Sequence, residues 1–219
     1  MSSIDIETAT SEELCEEAAA WRLVANLLRV MPDKEWLAGF AGAGIFEEPC
    51  PFAPEQPAVA EGMAQLAGWC AAFGEDSFDD AYNDYMNLFV GPFKPKASPW
   101  ESVWSPEHEG LVFQEETLEV RKAYLTFGLE IDNLHHDPDD HICYETEFMA
   151  VLCEKAADAL DAGDSAEKDR CMVAKASFMR QHLSTWGPQW ADKVCENGNT
   201  ALFRGVALLV KGFIAQYAA

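Results

Sequence analysis

The sequence predicts an all-α protein, a single helical domain of about eight to nine helices over residues 1–219. Apolar residues recur at helical spacing in one segment after another, and no segment alternates apolar and polar residues with the period of a strand. Helix-capping sequences and Gly or Pro residues separate these segments. The composition, 49% hydrophobic and 24% charged, is that of a chain that buries a core.

The first elements are defined by their caps. Residues Thr10–Glu13 form a capping box, with a hydroxyl at the N-cap and a carboxylate three residues later, which opens a helix with an apolar face. Asp33 starts a short second helix. Residues 41–57 carry three Gly or Pro clusters and are predicted as a loop, which attaches the N-terminal helical unit loosely to the rest. Residues 58–73 form the next helix.

The middle of the chain combines helices with two long loops. Ser77 is expected to cap a helix that ends at Phe89. Residues 91–100 contain three prolines, which exclude a regular helix, so this aromatic segment is either a binding loop or a packed connector. A helix over residues 117–127 and a loop over residues 129–138 follow.

The C-terminal part of the chain is predicted as helices separated by short breaks. A long helix covers residues 139–160, with Asp139 or Asp140 as its N-terminal cap. Asp164 opens a second capping box and a helix that runs to about Leu183. Three features complete the fold in this order: a break at Trp186-Gly187-Pro188, a short helix, and a last helix over residues 200–217.

The charge of the chain restricts its partners. Fifteen Lys and Arg oppose 38 Asp and Glu, for a formal net charge of −23. Such a surface repels nucleic-acid phosphates and anionic lipid headgroups and attracts basic peptides, so no nucleic-acid partner is expected. Solubility or adaptation to salt is the alternative explanation. The most apolar stretch, residues 201–219, is interrupted by Arg204 and Lys211, so no stable membrane insertion is expected.

Two further features predict a cytoplasmic protein. The N-terminal segment has neither the basic region nor the apolar core of a signal peptide. The seven cysteines are an odd number without a C-x-x-C pair, which predicts neither a zinc site nor a redox pair and fits a reducing compartment.

Motifs for enzymatic chemistry are missing from the sequence. It contains no Gly-rich phosphate loop, no H-E-x-x-H and no G-x-S-x-G, so no catalytic residue, metal ligand or cofactor is predicted. The polar cluster at residues 135–141 keeps a metal-dependent helical enzyme as an alternative, with His136, Asp140 and His141 as its residues. Glu145 lies on the apolar stripe of its helix, so it is either paired, for instance with an Arg, or exposed in a groove.

Five segments in a fixed order carry a resemblance to a known family. They are Tyr85-x-x-Leu88-Phe89-Val90-Gly91-Pro92, Pro99-Trp100-Glu101-Ser102-Val103-Trp104, Thr117-Leu118-x-x-Arg121, Pro138-Asp139-Asp140-His141-Ile142-x-x-Glu145-x-x-Phe148-Met149, and His182-Leu183-x-x-Trp186. The ordered set resembles the TorD/DmsD family of redox-enzyme maturation chaperones. The likeness is close over residues 77–190, the core of the predicted domain, and loose in the flanking helices.

The resemblance implies a TorD-like helical fold and a cytoplasmic chaperone, not an enzyme. Its expected partners are a client molybdopterin oxidoreductase of the DMSO or TMAO reductase type and the twin-arginine leader peptide of that client, held back from Tat export until the cofactor is loaded. A monomer or a domain-swapped homodimer is expected. The alternative is a NarJ-like assembly factor that binds the body of the client enzyme.

The resemblance also implies peptide-binding positions, which fall on two segments. They are Tyr85, Leu88, Phe89 and Phe93 in the first segment, and Pro138, Asp140 and His141 in the second. The chemistry of the ligand adds Glu145 and Trp100, because two guanidinium groups need carboxylates and an apolar stretch needs an aromatic groove. Gln114 and Cys143 stand where the family often has Gly, and they add bulk near the presumed groove.

Overall fold

The all-α prediction is confirmed. A computed structural model of the chain describes residues 9–29, 33–92, 94–107, 110–132 and 137–217. Within these residues there is no β-strand, only an isolated antiparallel bridge between Trp100 and His141. The α-helices of this part of the chain are α1 Ser11–Arg29, α2 Lys34–Ala41, α3 Pro57–Ala71, α4 Ser77–Tyr85, α5 Glu115–Leu125, α6 Ile142–Asp161, α7 Ser165–Phe178, α8 Ser184–Asn197 and α9 Ala201–Tyr217.

The chain divides into two compact units. The first unit consists of residues 1–26, 100–187 and 217–219, and the second of residues 27–99 and 188–216. The single domain over residues 1–219 stays a prediction.

The first unit contains most of α1, the whole of α5, α6 and α7, and the start of α8. Long apolar side chains at helical spacing on α1 and α6 are fully buried, among them Trp21, Ile142, Met149 and Leu152. Burial of such side chains stabilises each by about 1.5–3 kcal/mol relative to exposure. This core forms the frame behind the polar site described below.

The second unit contains α2, α3 and α4, most of α8, and α9. Glycines allow α3 and α9 to approach closely, because a Cβ atom built on Gly62 would lie 2.8 Å from the carbonyl oxygen of Gly205. Although α9 is strongly apolar, no helix within the described residues is long and apolar enough to cross a membrane.

Several of the predicted helix starts are confirmed. Glu13 accepts hydrogen bonds from the backbone N–H (2.8 Å) and the hydroxyl of Thr10, and Thr10 accepts from the N–H of Glu13, which is a complete capping box. Asp33 accepts from the N–H of Trp36, and Asp164 accepts from the N–H of Glu167. These caps depend on residues three positions apart, so the local sequence is sufficient to specify them.

Three predictions about helix ends were wrong. Ser77 does not cap α4 but is its first residue, and the N-cap is Asp76. Neither Asp139 nor Asp140 caps α6; the cap is His141, whose Nδ1 accepts from the N–H of Cys143 at 3.1 Å. The chain also does not break at residues 186–188, since α8 continues through Pro188. A proline inside a helix costs about 3 kcal/mol. Burial of the indoles on either side, Trp186 at 2% and Trp190 at 0% exposure, offsets that cost.

Candidate functional site

The centre of the candidate site in the first unit is Asp140. Its carboxylate is fully buried and accepts hydrogen bonds from the backbone N–H of Ser102 at 2.8 Å and from the hydroxyl of Thr117 at 2.7 Å. Its backbone carbonyl accepts from the N–H of Glu101 at 2.9 Å. One residue therefore fixes the short 3₁₀ turn Glu101–Val103 and the start of α5 to the segment that precedes α6.

A buried acid–imidazole pair lies beside Asp140. His182 Nδ1 and Glu101 Oε2 are 2.9 Å apart, and both side chains are about 95% buried. The Thr185 hydroxyl donates to Glu101 Oε1 at a longer 3.4 Å. Burial raises the pKa of Glu101, and the hydrogen bond and charge of His182 partly oppose that rise.

Glu145 is the third carboxyl group of this cluster. It is fully buried and accepts a hydrogen bond from the Trp186 indole N–H at 3.2 Å, so the predicted partner is not an Arg. Burial raises the pKa of Glu145 well above its usual value, and the charges of Glu101 and Asp140 raise it further. Glu145 Oε1 is buried and has no hydrogen-bond partner among the described residues, and a neutral carboxyl group costs less to bury there than a carboxylate.

Replacing Glu145 with Gln is expected to make the protein's stability less dependent on pH. The folded protein holds a proton on Glu145 that the unfolded chain releases above its ordinary pKa, so stability falls as the pH rises from there toward the raised pKa. The amide has no proton to lose and keeps an oxygen to accept from Trp186. Urea unfolding at about pH 5 and about pH 8 measures this effect. The free energy of unfolding of Glu145→Gln, relative to that of the wild type, should be higher at about pH 8 than at about pH 5.

A matched substitution at the exposed Glu130 provides the control for that measurement. Glu130→Gln should follow the wild type at both pH values, because the Glu130 side chain is exposed to solvent and its replacement changes no buried group. An unchanged pH dependence in Glu145→Gln would contradict the assignment of a proton to Glu145.

An ion pair and an aromatic patch border this cluster. Arg121 donates from Nη2 to Asp139 Oδ2 at 2.7 Å, which fixes α5 to the residue before Asp140. The His141 ring is flanked by two rings, Trp100 at 5.6 Å and Tyr144 at 5.8 Å between centroids. These three side chains are partly exposed, unlike the carboxylates, so they form the accessible part of the site in this unit. We call them the Trp100–His141–Tyr144 patch.

The predicted aromatic positions at residues 85–89 belong to the second unit. Phe89 packs against Trp190, with centroids 6.1 Å apart, and against Phe203 at 5.4 Å. Tyr85 contacts Phe89 at 5.4 Å and is only partly buried, whereas Leu88 and Phe89 are buried. Of the predicted positions described in this segment, Tyr85 is therefore the one with an accessible ring.

Two π-helical turns lie in the described part of the chain. One covers Met86–Val90, directly after α4, and the other covers Met179–Leu183, between α7 and α8. The second turn carries His182. Single π-helical turns inside α-helices are rare and occur frequently at functional sites. Their position in two of the five family segments supports a functional role for both.

The structure thus divides the predicted site residues by accessibility. Pro138, Asp140 and Glu145 are buried, as are Leu88 and Phe89, so these residues support the site from within the folded protein. The accessible predicted residues are Tyr85, Trp100 and His141. Phe93, His135 and His136 lie outside the described residues. For every predicted position, direct contact with a peptide stays a prediction.

Sequence reasoning did not single out Glu101, His182, Thr117 or Tyr144. All four stand inside the segments that carried the resemblance, and Tyr144 occupies one of the two unspecified positions between Ile142 and Glu145. Local sequence patterns could not reveal the Glu101–His182 pair, because its partners are 81 residues apart. Among the described residues, no group of three or more His, Cys, Asp or Glu could hold a metal ion.

Comparison with known proteins identifies the family. Residues 53–192 match the family model described as nitrate reductase delta subunit. The chain is 27% identical over 133 residues to the chaperone protein TorD of Vibrio cholerae serotype O1, covering 61% of this chain and 58% of TorD. It is 30% identical over 135 residues to TorD of Actinobacillus pleuropneumoniae serotype 3, covering 61% and 59% of the two chains.

A third relative extends the match along the chain. The Tat proofreading chaperone DmsD of Salmonella typhi is 26% identical over 163 residues, which is 74% of this chain and 71% of DmsD. The chain spans about three fifths of the length of the TorD relatives it matches. The matched region of the family model includes the buried cluster of Asp140, Glu101, His182 and Glu145, the Trp100–His141–Tyr144 patch and the π-helical turns. The chain therefore belongs to the nitrate reductase delta subunit family, in the TorD/DmsD group.

Proposed function

We propose that this protein is a cytoplasmic maturation chaperone that binds the twin-arginine leader of a molybdopterin-containing oxidoreductase before Tat export. The observation that carries the proposal is the family match over residues 53–192, which includes every described residue of the candidate site. The relatives are named as chaperones, and the DmsD relatives as Tat proofreading chaperones. These names support a chaperone role and a link to Tat export, the family resemblance implies the class of client, and the chemistry of the site supports the mode of recognition.

The accessible aromatic residues suit an arginine-rich peptide. A guanidinium group stacks on aromatic faces, and the Trp100–His141–Tyr144 patch offers two such rings around an imidazole. The net charge of −23 attracts a basic segment from a distance, most strongly at low salt.

The buried carboxylates act by positioning this patch. Asp140 fixes the turn after Trp100 through the Ser102 N–H, and its neighbour His141 both caps α6 and forms the backbone bridge to Trp100. Preorganisation of this kind lowers the entropy that is lost when a peptide binds. In this proposal no step of covalent chemistry takes place, and the protein acts by binding alone.

Calorimetric titration tests the proposal. A synthetic twin-arginine leader of a molybdoenzyme from the same organism should bind with micromolar or better affinity. A twin-lysine version should bind at least about tenfold more weakly, because the compact, strongly hydrated ammonium group of Lys lacks the planar face with which a guanidinium group stacks on aromatic rings. Trp100→Ala and Tyr144→Ala should each weaken binding of the twin-arginine leader by about tenfold.

Tyr82→Ala is the matched control, because Tyr82 is an exposed tyrosine on α4, at 45% exposure. It should leave the affinity unchanged. Equal affinity for the two leaders would show that the paired guanidinium groups are not recognised. An unchanged affinity in both patch variants would move the leader site away from the Trp100–His141–Tyr144 patch.

A second candidate function is assembly of the client through its enzyme body, as in the NarJ branch. The observation that favours it is the description of the matching family model, which names a nitrate reductase subunit and not a leader chaperone. Binding of a leaderless client with the same affinity as the full-length client would select this second function.

A further inference from the structure

A groove that the leader site does not use opens between α5 and α7 in the first unit. It encloses a cavity of about 320 Å³. One wall is formed by α5, with Glu119, Lys122, Ala123 and Thr126, and the other by α7 and the following π-helical turn, with Ala174, Ser177 and Gln181. The residues of each wall are three or four positions apart, so they lie on one face of their helix.

The floor of the groove is aromatic. Phe127, Phe148 and Phe178 line it, with Phe148 and Phe178 at a centroid distance of 4.9 Å. His182 lies at one end against Phe178, at 4.7 Å, and its Nδ1 is held by Glu101. The Arg170 guanidinium group covers the ring of Phe127 at 4.3 Å. These rings give the cavity an apolar floor against which an apolar side chain can pack.

Exposed apolar side chains lie beside the lining residues on both walls of the groove. Leu118 is 61% and Leu125 is 50% exposed on α5, on the helix face adjacent to Glu119 and Lys122. Val173 on α7 is 62% exposed, next to Ala174. Single exposed apolar residues are ordinary, but apolar shoulders on both walls of an aromatic groove are typical of a helix-binding surface.

The charges of the α5 wall restrict the partner further. Glu119 and Lys122 are three residues apart, both are exposed, and neither side chain forms an ion pair with another described residue. At this spacing they lie side by side on the same wall. A partner complementary to both therefore carries one basic and one acidic residue, one helical turn apart, beside its apolar face.

We propose that the α5–α7 groove binds an amphipathic helix of a partner protein, with an apolar anchor on the aromatic floor and an oppositely ordered charge pair against Glu119 and Lys122. The proposed helix carries one basic and one acidic residue, whereas the charged groups recognised in a twin-arginine leader are both basic. The inference uses the proposed function in one respect alone: a chaperone has a polypeptide partner for such a groove.

Fluorescence anisotropy with a designed peptide tests this inference. The probe is a labelled synthetic helix of about four turns, with Leu or Phe at positions i, i+3, i+4 and i+7 and an Arg–Glu pair along the edge that faces Glu119 and Lys122. It should bind at least about tenfold more tightly than a scrambled peptide of the same composition. Ser177→Trp places an indole in the groove and should reduce that binding by about tenfold or more.

Two further variants make the test specific. Asp169→Trp adds an indole to the exposed face of α7 outside the groove, and it should bind the peptide like the wild type. Glu119→Lys combined with Lys122→Glu reverses the charge order, so it should prefer a peptide with the Arg and Glu exchanged. Equal binding of designed and scrambled peptides, or unchanged binding in Ser177→Trp, would overturn the inference.

Titration of the same variants with the twin-arginine leader separates the two proposals. Ser177→Trp should bind the leader like the wild type, because the Trp100–His141–Tyr144 patch does not include α7. Loss of leader binding in all proteins would defeat the proposed function and leave the result with the helical peptide intact. Loss of both ligands in Ser177→Trp alone, with the unfolding midpoint retained, would overturn the separation of the two sites.

Discussion

Replacing Asp140 with Ala is expected to lower the free energy of unfolding by about 2–4 kcal/mol. The carboxylate is fully buried, and its loss leaves the Ser102 N–H and the Thr117 hydroxyl without their acceptor. A buried donor without a partner costs about 1–3 kcal/mol. Relief of the repulsion between Asp140 and the nearby Glu101 offsets part of this cost. Urea unfolding measures the sum.

The expected destabilisation changes how Asp140 is tested as a leader-binding residue. Asp140→Ala would weaken leader binding simply by loosening the turn after Trp100. Asp140→Asn keeps an oxygen for the Ser102 N–H and should retain most of the stability, so it is the variant in which leader affinity can be interpreted. The exposed Asp132→Ala is the control and should change stability by less than about 0.5 kcal/mol.

Two results would reverse this interpretation of Asp140. Full stability of Asp140→Ala would mean that the buried hydrogen bonds contribute little. A stable Asp140→Asn that loses leader affinity would show that the charge of Asp140 acts on the peptide directly, as the sequence predicted.

Most of the features that could be predicted from sequence depend on residues that are close together in the chain. The caps formed by Thr10, Asp33 and Asp164 each depend on a partner three residues away, so a single local sequence specifies them. The same reasoning assigned the cap of α6 to the wrong residue, because three polar residues in a row all qualify. Asp139 and Asp140 are occupied by Arg121 and by Ser102 and Thr117, which leaves His141 as the cap.

The candidate site could be located by sequence but not explained by it. The ordered segments identified the right stretches of chain, including Trp100 and His141. Sequence patterns carry no signal for accessibility, and therefore Asp140 and Glu145 were predicted as ligand contacts although both are buried. The Glu145–Trp186 and Glu101–His182 contacts join positions 41 and 81 residues apart, and only the packing of the first unit brings them together.

Replacing Lys175 with Ala is expected to have the largest effect on stability, about 3–5 kcal/mol. Lys175 Nζ and Glu17 Oε2 form an ion pair at 2.8 Å, and the two side chains are only 3% and 5% exposed. Removal of the ammonium group leaves a buried carboxylate whose other partners, the Trp21 indole and the Tyr217 hydroxyl, are neutral. Urea unfolding at neutral pH measures the loss.

A matched exposed pair provides the comparison. Lys193 and Glu196 form an ion pair at 2.6 Å with both side chains about half exposed or more, so Lys193→Ala should cost less than about 1 kcal/mol. The double variant Glu17→Gln with Lys175→Met removes both charges and should recover much of the loss, because a buried pair replaced by groups of similar volume is often near neutral. Equal costs for Lys175→Ala and Lys193→Ala would contradict the buried-pair argument.

The position of the Lys175–Glu17 pair explains why its loss should lower stability more than the loss of an ordinary contact. Glu17, Lys175 and Tyr217 come from the three separate chain segments that make up the first unit. One carboxylate therefore joins the N-terminal helix, α7 and the end of α9 by charge-assisted hydrogen bonds in an apolar interior. Because α7 also forms one wall of the α5–α7 groove, Lys175→Ala should loosen the groove as well. Peptide anisotropy with the double variant, in which the charges are gone but the packing is retained, should show the affinity of the wild type.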